Sequence, residues 1–305
     1  MCTDHDHQGL IRDAGLTRRE FVLGLGSLAA ASSVGSTAMA AEATSAGAAK
    51  AAAKDSAANV VERDVEVPTA HGTADAVLFH PAGKGDWPAV LIWPDILGLR
   101  PVFRELGRRL AAQGYTVLVP NPFYRSKRAP VVEGTFDFGN PADRAMVFAL
   151  RGAMSDAGID SDSTAYLKFL DAQPQTNRRR KAGVQGYCMG GPLSFRTAAA
   201  VPERIGAVAS FHGAGLVSAE PSSPHLLIGK TKAEFLVAVA KNDDAKEPTA
   251  KETLQAAFKA AGRAATVEVY QANHGWCVFG GQSYSETEAE RAWAELSKLY
   301  ASTLK

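Results

Sequence analysis

The chain has 305 residues, 46% of them hydrophobic and 21% charged, and its 33 Lys and Arg against 32 Asp and Glu leave a net charge of +1. That balance removes any electrostatic reason to invoke nucleic acid or an anionic membrane surface as partner. Three cysteines, at 2, 188 and 277, are too few and too scattered for a disulfide framework.

Taken in chain order, the first feature is a targeting segment. Thr17-Arg18-Arg19-Glu20-Phe21-Val22-Leu23 is a twin-arginine pattern, followed by a Gly/Ala-rich apolar stretch from Phe21 to about Ala31 and a small-x-small cleavage site, Ala38-Met39-Ala40. The apolar stretch is too short and too weakly hydrophobic for a stable membrane span. The expectation is a signal peptide over 1–40, recognised by the twin-arginine export machinery through residues 17–23 and cleaved after Ala40. A soluble periplasmic or otherwise exported protein would remain. Asp4-His5-Asp6-His7 could bind a metal but reads as a polar extension of the signal. Residues 41–59 are Ala-rich with scattered Lys and Asp; they favour helix yet present no apolar face, and read as a tether.

From residue 60 to 305 the pattern is that of one folded domain. Val65–Val67 and Ala76–Phe79 suggest a hairpin around Ala70-His71-Gly72. Strands are expected at Val90–Trp93, Thr116–Pro120, Ala182–Gln185, Ala207–Phe211, Phe235–Ala240 and from Val267. Helices are expected at Phe103–Gln113 (closed by Gly114), Ala142–Met154, Ser163–Ala172, Pro192–Ala200, Thr249–Ala261 and from Glu286. Alternating strands and helices imply right-handed crossovers, hence an α/β fold with a mostly parallel central sheet flanked by helices on both faces.

Gly186-Tyr187-Cys188-Met189-Gly190-Gly191 lies between a strand and a helix and reads as a nucleophile elbow, Gly-x-Ser-x-Gly with sulfur for oxygen. The small residues two before and two after the nucleophile let strand and helix pass closely. Downstream, Lys241-Asn242-Asp243-Asp244 follows one strand and Gln271-Ala272-Asn273-His274-Gly275 follows another. Singly, such an Asp is a turn former and such a His a loop residue. Together they arrive in the order nucleophile, acid, base, each at a strand's C-terminal end, as expected of an α/β-hydrolase triad. Asp244 is the alternative acid. His212 also lies at a strand end and could line the pocket, but no acid stands near it in sequence.

With these residues in hand, the chain from Val65 to Tyr300 resembles the dienelactone hydrolase family. The resemblance rests on 186–191, on Asp243, on the Tyr-x-x-x-His run ending at His274, and on Val90 to Leu99, which contains Asp95-Ile96-Leu97-Gly98. It implies Cys188 as nucleophile, His274 as general base and Asp243 as its orienting acid. The oxyanion hole would be the backbone N–H groups of Met189 and Ile96. Two positions depart from the family: Asp95 stands where those enzymes have a Glu that holds the resting thiol, and Val278 where they have an Arg that grips the substrate carboxylate. Tyr124, Arg125, Tyr187 and Trp276 are candidate pocket residues, with Arg125 either a replacement clamp or a structural ion pair.

The reaction implied is hydrolysis of small esters or lactones through a thioester, with no cofactor or metal called for. A scaffold that only binds an acyl or aromatic ligand, and a thiol redox protein using Cys188 and Cys277, are the alternatives. The second has no Cys-x-x-Cys to support it.

Overall fold

The computed structural model describes residues 59–304. The expected signal peptide with its cleavage site, and the Ala-rich stretch to residue 58, lie outside them. Eight strands form one sheet in the order β1-β2-β4-β3-β5-β6-β7-β8. They are β1 (Val60–Thr69), β2 (Gly72–Pro81), β3 (Ala89–Trp93), β4 (Thr116–Pro120), β5 (Ala182–Tyr187), β6 (Ile205–Phe211), β7 (Glu234–Ala240) and β8 (Ala265–Tyr270). The β1–β2 hairpin and the β2–β4 pair are antiparallel; from β4 to β8 every pair is parallel.

The buried strands β3 to β6 are apolar at nearly every position because both faces are covered. On one face, Leu91, Trp93, Val184 and Val208 pack with α2 (Pro141–Gly152), α3 (Asp156–Asp171), α4 (Gly190–Ala200) and α7 (Ala250–Ala261). On the other, Val90, Ile92, Ala207 and Ala209 pack with α1 (Pro101–Ala111) and α8 (Glu286–Thr303). The period of two along each strand divides the residues between these layers. Helix α1 shows how sequence becomes packing. Pro101 sits in its first turn, Phe103, Gly107, Leu110 and Ala111 form its buried face, and Arg108 and Arg109 stand in its last turn, where cations favour the helix dipole.

The expected strands and the hairpin are all present. Helix α3 begins at Asp156, seven residues before the expected start at Ser163. Its first turn is capped by Ser155, whose Oγ accepts from Gly158 N at 3.1 Å. The polar run that hid this turn is satisfied by distant partners: Asp160 by Arg196 and Asp162 by Arg125. Two short helices, α5 (Pro224–Leu227) and α6 (Lys241–Lys246), are too brief to leave a periodic signal.

Candidate active site

The β5–α4 turn is the sharpest feature of the backbone. Cys188 has φ 51°, in the left-handed region, where a non-glycine side chain costs about 1–3 kcal/mol. The strain is held by the surrounding bonds. Cys188 N donates to Phe211 O at 3.0 Å, extending the β5–β6 ladder, and Cys188 O accepts from Gly191 N at 3.0 Å as the helix begins. A Cβ on Gly186 would stand 1.8 Å from Gly190 O, and one on Gly190 2.3 Å from Trp93 O. Only glycine allows β3, β5 and the first turn of α4 to meet here. The helix is pinned from below: Trp93 Nε1 donates to Thr197 Oγ1 at 2.9 Å, and Ser163 Oγ lies 2.9 Å from the same oxygen.

The residues expected as acid and base come from the next strand ends. Helix α6 follows β7 directly and presents Asn242 and Asp243 side by side to the loop after β8. Asn242 Oδ1 accepts from His274 N at 2.7 Å, and Asp243 Oδ2 lies 2.7 Å from His274 Nδ1. A carboxylate only accepts, so His274 carries a proton on Nδ1, and in the neutral ring Nε2 keeps the lone pair. Asp244, the alternative acid, is held by Lys251 Nζ at 2.9 and 3.0 Å. Asn242 was not singled out in the sequence; its place immediately before the acid was the only available signal.

His212, the first residue after β6, lies between Cys188 and His274. Its Nδ1 accepts from Cys188 N at 3.2 Å, and its ring meets that of His274 edge-on at 4.9 Å. Cys188, Asp95 and His212 have no exposed surface, and His274 is 2% exposed. The site is therefore enclosed and of low dielectric. A separate groove of about 500 Å³, lined by Asp160, Arg196 and Lys230 among others, contains none of these residues.

The turn after β3 carries Ile96. Asp95 Oδ1 accepts from Leu97 N at 3.0 Å and Asp95 O from Gly98 N at 2.9 Å, which fixes the Asp95–Gly98 backbone. The two Asp95 oxygens are taken by Arg100 at 2.6 and 2.9 Å. Among the described residues, the amides of Ile96 and Met189 have no protein acceptor.

The remaining candidates are engaged in structure. Arg125 binds both oxygens of Asp162, at 2.6 and 2.8 Å, and the buried Asp162 needs that charge. Tyr124 OH donates to Asp162 at 2.8 Å and also meets Thr69 Oγ1 at 2.7 Å. Burial pushes the Tyr124 phenol up to about 12. Tyr187 lies in the core beneath α1, edge-on to Phe103 and stacked on Phe211. Trp276 is fully buried, stacked on Tyr270 and edge-on to His212. Val278 is likewise buried. Among the described residues, neither Cys188 nor Cys277 is in a disulfide. No helix among the described residues is long and apolar enough to cross a membrane.

An eight-stranded, mostly parallel sheet with a strained strand–helix turn at its centre defines an α/β-hydrolase fold. The chain belongs to the dienelactone hydrolase family, whose profile matches residues 74–304. A Synechocystis protein provisionally named a carboxymethylenebutenolidase is 26% identical over 245 residues, covering 79% of this chain and 96% of that protein. Carboxymethylenebutenolidase 1 of Cupriavidus pinatubonensis is 34% identical over 113 residues, covering 37% and 45%. Among solved structures, a provisionally assigned dienelactone hydrolase of Klebsiella pneumoniae superposes with a TM-score of 0.68 at 21% identity, covering 79% of this chain and 98% of that one. That likeness bears on fold alone.

Proposed function

We propose that this protein is an exported hydrolase of small, uncharged esters or lactones, working through a Cys188–His274–Asp243 triad and a thioester. One observation carries the reading: an Asp–His pair at 2.7 Å stands at the same sheet end as a cysteine in a left-handed strand–helix turn. Membership of a family of lactone and ester hydrolases supports the reaction class.

In this reading His274 Nε2 takes the thiol proton, and the N-terminus of α4 favours the anionic sulfur. The thiolate adds to the carbonyl carbon, and the oxyanion accepts from Met189 N and Ile96 N, each donor being worth roughly 3–4 kcal/mol of barrier. Collapse expels the alkoxide, which receives the proton from His274, and leaves the acyl group on sulfur. His274 then deprotonates water, which attacks the thioester and returns the thiolate.

Uncharged substrates are favoured because the cations the sequence offered are committed. Arg125 neutralises Asp162, Arg100 neutralises Asp95, and Val278 is apolar. A substrate carboxylate would enter without a bidentate partner.

The test is hydrolysis of a short-chain aryl ester by wild type, Cys188→Ala and Cys188→Ser, with acyl-enzyme trapping by mass spectrometry. The Ala variant is expected to lose at least about 10³-fold in kcat. Equal rates in wild type and Ala would refute the cysteine mechanism. The enclosure of Cys188 favours one second reading, a ligand-binding scaffold. It predicts saturable binding of an aromatic ester without turnover. For export, replacing Arg18 and Arg19 together by Lys should leave the protein uncleaved in the cytoplasm. Unchanged export would overturn the twin-arginine route.

A further inference from the structure

We infer that His212 is a positioning residue of the Cys188 centre, fixing the nucleophile's own amide through the Nδ1 lone pair. The inference rests on the hydrolase reading above and adds to it a second histidine that is neither base nor acid.

His212 has φ 40°, the left-handed region again, so two strained non-glycine residues face each other across adjacent strand ends. Outside glycine this region is sparsely occupied, and such strain gathers where surrounding structure enforces it. Here the enforcement is visible. His212 N donates to Ala238 O at 2.8 Å, which carries the β6–β7 ladder one residue beyond β6. The ring is then turned back toward β5, where Nδ1 accepts from Cys188 N at 3.2 Å. That amide is shared, since it also donates to Phe211 O at 3.0 Å.

An N–H aimed at Nδ1 requires a lone pair there, so His212 is neutral and carries its proton on Nε2. His274 carries its proton on Nδ1, toward Asp243. The two histidines therefore hold opposite tautomers, each set by its own partner. His274 offers a base nitrogen to the reaction; His212 spends its lone pair on the elbow.

Its ring is held in place on more than one side. It meets His274 edge-on at 4.9 Å and Trp276 edge-on at 5.0 Å, and Trp276 is stacked on Tyr270 at 5.2 Å. Histidine supplies at this point an acceptor at the right reach and a ring that packs against both His274 and Trp276. Fixing Cys188 N sets the direction of the Cα–Cβ bond and hence where the sulfur stands relative to His274. Displacements of about 1 Å at a reacting centre cost on the order of 10²-fold in rate.

The experiment compares His212→Gly with His212→Asn in the full chain. Both residues tolerate a positive φ. Only Asn places an oxygen near the position of Nδ1, able to accept from Cys188 N. The readouts are kcat and KM for the aryl ester, the rate of Cys188 alkylation by iodoacetamide, and the thermal midpoint. Gly is expected to lower kcat and the alkylation rate by about 10- to 100-fold with KM within about threefold, and Asn to restore most of that loss. Should Gly fail to fold, His212→Gln replaces it, since its polar atoms reach the Nε2 position and not the Nδ1 position; the same fall is expected. Equal losses in Gly (or Gln) and Asn, or wild-type rates in both, would overturn the proposal. If wild type turns over no ester, the hydrolase reading fails, while the alkylation rates still decide whether His212 positions the thiol.

Discussion

Arg100 grips both carboxylate oxygens of Asp95, at 2.6 and 2.9 Å, with the Asp95 side chain wholly out of solvent and that of Arg100 5% exposed. The pair sits in the turn that carries Ile96, and Arg100 also donates to Gly98 O at 3.3 Å. The acid expected by resemblance to hold the resting thiol thus has a cation of its own, five residues on in the chain. Removing one member of a buried pair strands the other charge, at a cost of about 3–5 kcal/mol, whereas replacing both by apolar groups is often neutral. Arg100→Met and Asp95→Asn should each lower urea stability, Arg100→Met by that amount. The double variant Asp95→Leu/Arg100→Met should recover most of it. Additive losses in the double would show that the two charges are not coupled.

Asp243 and Asp244 are adjacent yet differently employed. Asp243 meets His274 and Asp244 meets Lys251. Asp243→Asn should depress kcat by about 10²- to 10⁴-fold, because an amide no longer selects the Nδ1–H tautomer. Asp244→Asn should leave kcat within about twofold and cost at most about 1 kcal/mol of stability, since its ion pair is partly exposed. Steady-state kinetics on the two variants checks this, and the reverse pattern would move the acid role to Asp244.

The elbow leaves no space for a methyl group. In Gly186→Ala the new carbon would lie 1.8 Å from the backbone oxygen of Gly190, which cannot move without unseating α4. We expect a loss beyond about 4 kcal/mol, visible as a collapsed thermal midpoint or insoluble expression. Gly152→Ala, with open space around its Cβ, is the control and should melt within a few degrees of wild type.

All seven tyrosines are shifted upward, each chiefly by burial, with Tyr124 at about 12. The folded state therefore favours neutral phenols. That contribution is fully present below the unfolded value of about 10 and is lost as pH rises through the folded values. Phenolate absorbance should stay low near pH 10 and then rise together with loss of the circular dichroism signal. Early, non-cooperative ionisation of most phenols in a still-folded protein would contradict this.

Of the two thiols in the described residues, Cys277 is pushed well up, first by burial and then by the charges of Glu288 and Glu290. At neutral pH it stays protonated and poorly nucleophilic. Native Cys188→Ala should take up iodoacetamide at half-buried Cys277 far more slowly than the same variant in denaturant. Rapid native labelling of Cys277, read by peptide mass spectrometry, would refute this.

Local chemistry made much of this protein readable from its chain. The period-two apolar runs, the Gly-x-Cys-x-Gly spacing and the order Cys188, Asp243, His274 are legible along the chain, and they specified an α/β sheet with a candidate site at the strand ends. Short helices and the early start of α3 were hidden because their stability is tertiary. Asp160 and Asp162 look like loop residues until Arg196 and Arg125 arrive from elsewhere.

Partner choice was decided only in three dimensions. The sequence determined that Asp243 or Asp244 would face His274; which one depended on the turn of α6, a one-residue rotation that no spacing encodes. It placed His212 at a strand end, but the bond to Cys188, 24 residues away, exists because β5 and β6 are neighbours in the sheet. It offered Asp95 and Arg125 as site residues, and packing gave each a buried counter-charge. Local periodicity sets which face a residue takes, whereas burial of charge is satisfied only by whatever the assembled fold brings within hydrogen-bond reach.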